Sequence, residues 1–103
     1  MKQYTTPEQT AKLIELGFEK PKSIEVYRDG HCVPFVEQQW AYSIGELIEM
    51  LPTIVDYFTL WIGRDERSNQ WYVKYHPRTL VIDEELVDAL YEMAVKLKEE
   101  GVI

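Results

Sequence analysis

Three side chains in this 103-residue chain carry an imidazole or a thiol: His31, Cys32 and His76. Imidazole and thiolate are the ordinary donors to zinc, so three of them drawn from two hairpins could in principle hold a metal. His31 and Cys32, however, are adjacent in a stretch of strand character. Successive strand side chains leave on opposite faces, which is poor geometry for sharing one ion. As a nucleophile, Cys32 would need a base and a third, orienting group, and neither that third group nor an oxyanion-hole motif is identifiable. Cys32 therefore reads as a small apolar residue. Carboxylates can work as an acid and base pair only when two meet in a cleft. Glu46 is better explained by helix capping, and Glu84, Glu85, Asp88 and Glu92 look like one solvated helix face. No glycine-rich phosphate loop, zinc spacing or dinucleotide fingerprint is present. The expectation is a protein that is not an enzyme and carries no metal or cofactor.

A second constellation is basic and aromatic. Arg64, Arg67, Lys74 and Arg78 lie beside Trp71 and Tyr72, a mixture that can stack on single-stranded nucleic acid. The overall charge argues against it. The chain has a net charge of −7, and residues 37–63 hold four acids and no base while 79–103 hold seven acids and two bases. Affinity for a phosphate backbone rests on Lys and Arg, so most of this surface would repel it. A protein surface, including that of a second copy as a homodimer, is the better partner for Trp61, Trp71, Tyr72, Tyr75, Arg64 and Arg67.

The elements that must position these residues are short and sharply punctuated. In "TTPEQTAKLIELGF", Thr6 caps, Pro7 suits the first helical position and Gln9 completes a capping box, which predicts a helix over 7–16. Gly17 terminates it, with Phe18 closing over Leu13. "SIEVYRDGHCVPFV" predicts a hairpin turning at Asp29-Gly30, its second strand demoted to an edge or an interrupted strand by Pro34. In "WAYSIGELIEMLP", Ser43 and Glu46 form an S-x-x-E capping box and Tyr42 staples onto Leu47; Pro52 stops the helix after barely two turns. "YFTLWIG" and "QWYVKYH" predict a second hairpin. Phe58, Leu60 and Ile62 share one face with Tyr57, Thr59 and Trp61 on the other, and Trp71, Val73 and Tyr75 alternate with Tyr72, Lys74 and His76. The last helix is capped by Asp83, stapled by Ile82 and Val87, striped by Leu86, Leu90, Met93 or Ala94 and Leu97, and ended by Gly101.

The order α-ββ-α-ββ-α predicts a single α+β domain over 1–103, with helices packed on a largely antiparallel sheet. Its composition, 46% hydrophobic and 28% charged, is that of a globular chain. No run approaches the roughly 20 apolar residues that cross a bilayer, and no signal-peptide pattern opens the chain. With a single cysteine, the expectation is a cytoplasmic protein without a membrane partner.

Thr6-x-Glu8-Gln9, "LIELGF" at 13–18, the 40–52 stretch and the ending "LVDALYEMAVKLKEEGVI" together resemble a family of small uncharacterised proteins from mobile elements and prophages of gut bacteria. That resemblance implies an accessory, host-directed role and brings no catalytic residue with it. Two expectations follow. One is a non-enzymatic module that binds a protein through the aromatic residues of its hairpins. The other is an acidic mimic of nucleic acid that blocks a host or defence protein, although ordinary acidic solubility explains the same charges.

Overall fold

The computed structural model of the protein describes residues 2–26 and 38–103. Along these the chain forms helix α1 (Pro7–Glu15), strands β1 (Ser23–Val26) and β2 (Gln38–Ala41), and helix α2 (Ile44–Met50). Strands β3 (Ile54–Val55), β4 (Phe58–Thr59), β5 (Trp61–Asp65), β6 (Gln70–Tyr75) and β7 (Thr79–Asp83) follow, and helix α3 (Leu86–Glu99) ends the fold. The class is α+β, and every described strand pairing is antiparallel. The largest sheet has the order β5-β6-β7, beside two-stranded ladders β1-β2 and β3-β4.

Local signals set the helices. Thr6 accepts from the Gln9 N–H while the Gln9 side chain accepts from the Thr6 N–H, and Ser43 and Glu46 repeat the arrangement at α2. Gly17 adopts φ +103°, and the N–H groups of Gly17 and Phe18 donate to the carbonyls of Ile14 and Leu13. That is a Schellman end, and only glycine takes this left-handed backbone without cost. Gly101 ends α3 in the same way, with Val102 donating to Leu97.

Packing then joins the elements. α3 lies against α2, β6 and β7. Its Leu86, Val87, Ala89, Leu90, Met93, Ala94 and Leu97 are all buried, the stripe expected of a helix with one side in a core. Val73, Tyr75 and Val81 meet it from the sheet, and Leu13, Tyr42 and Leu47 from the first half of the chain. Burying each of these aliphatic side chains is worth about 1.5–3 kcal/mol. Several polar groups in the same region are paired, although the buried Thr79 hydroxyl has no such bond among the described residues. Thr5 accepts from the Tyr42 N–H at 3.0 Å and shares a 2.7 Å hydrogen bond with Thr10. Lys2 Nζ and Gln9 Nε2 each donate to Asp88 at 2.7 Å, tying the N-terminal segment and α1 to the start of α3.

Several expectations are corrected. The stretch 57–62 is not one strand: β3 and β4 make a separate small hairpin, turning through Asp56 and Tyr57 at φ +50° and +72°. The alternation nevertheless holds, with Phe58, Leu60 and Ile62 packed against the core and Tyr57, Thr59 and Trp61 exposed. β7 is a strand the sequence reading passed over. Asp83 ends that strand instead of capping α3, whose cap is Glu85 without a side-chain bond; the Asp83 carboxylate accepts from the Glu85 N–H at 3.0 Å. Ile82 faces outward in β7 and cannot staple onto buried Val87. Val26 lies opposite Gln38, whereas a two-residue turn at Asp29-Gly30 would have set it against Val33. The Asp29-Gly30 turn itself, His31, Cys32 and Pro34 lie outside the described residues.

Candidate functional site

Strand register divides the β5-β6-β7 sheet into two faces. Ile62, Val73 and Val81 form one row across it and lie under α3. Arg64, Trp71 and Asp83 form the next row on that covered side. The other side carries Trp61, Lys74 and Leu80 in one row, Gly63, Tyr72 and Ile82 in the next, then Asp65 and Gln70. No described helix covers it. An antiparallel sheet packed on one side ordinarily shows polar residues to water on the other. Here Trp61, Leu80 and Ile82 are 59%, 51% and 52% exposed. Large apolar side chains grouped on one face, with a polar rim, mark an interaction site more than scattered surface residues do.

The face has relief. Tyr72 lies across the strand over Gly63, so close that a Cβ on Gly63 would overlap its hydroxyl and ring. Lys74 stands over the same ring, 5.0 Å from its centre. With Tyr72 laid toward β5, a groove of about 220 Å³ opens between Tyr72 and Lys74 on one wall and Leu80 and Ile82 on the other; Asp65, Ser68, Gln70 and His76 complete it. Trp61 stands beside this groove without lining it.

The six interaction residues proposed from sequence are not brought together. Trp61 and Tyr72 are on the open face, while Tyr75 is fully buried and donates to the Pro52 carbonyl at 2.6 Å. Trp71 points to the covered side and packs against the core, with the Arg64 guanidinium 5.6 Å from its ring and hydrogen-bonded to Asn69. Arg67 sits in the β5-β6 turn, its N–H donating to Asp65 at 2.9 Å. The basic and aromatic edge is thus split between two faces. Leu80 and Ile82 were missed because "TLVID" looks like a lead-in to the helix. Their alternation with buried Thr79 and Val81 was the available signal.

Burial and charge bear on a few titrating groups. Burial pushes the Tyr75 hydroxyl up to about 12. Burial also raises the Glu92 carboxyl, helped by the charges of Asp83 and Asp88. At Asp88 burial pulls upward too, but hydrogen bonds from Lys2 and Gln9 win and hold it below the usual carboxylate range. None of these groups lines the groove on the open face. Among the described residues no three His, Cys, Asp or Glu side chains gather as metal ligands, and no helix is long and apolar enough to cross a membrane.

Comparison of the chain with known protein families, with curated proteins and with solved structures finds no match in any of the three.

Proposed function

We propose that the protein is a non-enzymatic protein-binding module that docks through the open face of its three-stranded sheet. The resemblance in its sequence is what suggests an accessory role in a mobile element or prophage as part of this proposal. The observation that carries the reading is the outward group of Trp61, Leu80 and Ile82, three large apolar side chains from neighbouring rows, each more than half exposed on the side opposite α3. Removing such side chains from water yields about 25 cal/mol per Å², and central aromatic anchors dominate protein interfaces. Outside this sheet, Tyr57 at the β3-β4 turn is 98% exposed and Ile54 59%.

The test is capture from bacterial lysate with the wild-type chain and a Leu80→Asp, Ile82→Asp variant as parallel baits, at low and high salt. Proteins retained at high salt and lost with the variant support the reading. Partners indifferent to the variant overturn it. A second reading, the acidic mimic of nucleic acid, draws on the crowding of Asp83 and Asp88 around Glu92. It calls for nucleic-acid-binding partners that salt releases, because exposed charges are screened within about 10 Å at 0.1 M salt.

A further inference from the structure

We infer that the occupant of the open sheet face is a second copy of this chain, so that the working unit is a two-fold homodimer; this rests on the docking reading above. Three observations carry it. The first is self-complementarity. A two-fold interface uses the same patch twice, so the patch must hold both a projection and its receptacle. Trp61 projects, and the groove between Tyr72 and the Leu80 and Ile82 pair lies beside it on the same face. A two-fold axis parallel to the row of Gly63, Tyr72 and Ile82 exchanges the row of Trp61 and Lys74 with the row of Asp65 and Gln70. It sets the indole of each copy over Asp65 of the other, at one end of the other's groove, and Lys74 over Gln70, one strand away from Asp65.

The second observation is charge. The three rows of this face carry one acid, Asp65, and one base, Lys74, whereas the chain as a whole carries −7. Two copies approaching by their acidic helices repel. Approach by the neutral face avoids that repulsion, whereas a strongly charged partner finds nothing here to select it.

The third is area. A standard interface takes roughly 800 Å² from each partner. Trp61, Leu80 and Ile82, each more than half exposed, with the partly exposed Tyr72 and Lys74, supply the apolar centre of such an interface. The product is a sandwich of two sheets about 10 Å apart, with the α3 helices outermost.

Sedimentation velocity and light scattering across a wide concentration range test it. Expected are a wild-type dimer at micromolar concentration and a dissociation constant raised roughly thirtyfold or more by Trp61→Ala or Leu80→Asp, the size of a hot-spot truncation. Both side chains are exposed, so the monomer stays folded, and unchanged far-UV dichroism verifies that. Ile48→Asp, exposed on α2 away from this face, leaves the dimer intact. A wild-type chain monomeric throughout, with lysate partners still lost in the Leu80→Asp, Ile82→Asp variant, overturns the homodimer and spares the docking reading. A dimer and lysate partners both indifferent to the face variants overturn both.

Discussion

Tyr72 occupies the space that a side chain at Gly63 would need: the two residues are paired across β5 and β6, and the hydroxyl end of the phenol lies over the glycine. Glycine in a strand interior ordinarily costs about 0.5–1 kcal/mol relative to alanine. Here it admits the ring, which also lines the groove. Gly63→Ala is therefore expected to destabilise the wild type by about 1 kcal/mol, as overpacking does, and to stabilise a Tyr72→Ala background by about 0.5–1 kcal/mol. Urea unfolding of the four chains measures the change of sign, which equal effects in both backgrounds would contradict.

The carboxylates of Asp88 and Glu92, one helical turn apart, are expected to respond to pH in opposite senses. Asp88 is depressed in the fold, so its contribution is present above the unfolded value of about 3.9 and is lost as pH falls through the folded one. Asp88→Asn should remove that part of the acid dependence and weaken the tie to Lys2 and Gln9. Glu92 is raised, so its ionisation opposes folding at neutral pH, and Glu92→Gln should be more stable at pH 7 than the wild type. Thermal melts between pH 3 and 8 check both signs.

Tyr75 sets the alkaline limit. Its hydroxyl is raised to about 12, so the stability it supplies is complete below the ordinary tyrosine value of about 10 and is lost as pH rises through 12. Tyr75→Phe abandons the bond to the Pro52 carbonyl at a cost of about 1–2 kcal/mol and flattens the alkaline limb. Denaturation curves at pH 8 and pH 11 separate the two effects.

The β3-β4 turn carries Asp56 and Tyr57 in the left-handed region, where a residue with a side chain pays about 1–2 kcal/mol. Arg78 fixes the turn, donating from Nε to Asp56 at 2.7 Å while Nη1 reaches Glu100 at 3.1 Å. Because Tyr57 packs on nothing, Tyr57→Gly should stabilise the chain by about 0.5–1 kcal/mol, less than the full relief because glycine also gains freedom when unfolded. A rise in melting temperature is the expected reading, and a fall would show that the phenol makes a contact in the folded chain.

The sequence by itself determined the ends of α1 and α2, the end of α3, and the alternation of faces along its aromatic strands. Capping boxes at Thr6 and Ser43, left-handed glycines at 17 and 101, and the alternation from Tyr57 to Ile62 depend on neighbours within a few positions, so no distant contact is needed to set them. Tertiary structure decided which strands pair and which face stays open. "TLVID" became a strand because β6 offered it a ladder, which drew Asp83 out of the cap position and turned Ile82 outward. Trp71 and Tyr72 are adjacent in sequence, yet α3 covers only one side of the sheet, so one ring joins the core and the other walls the groove. That choice depends on where a helix some fifteen residues further along comes to rest, and hydrophobic burial, being non-directional, does not state it in any local stretch of sequence.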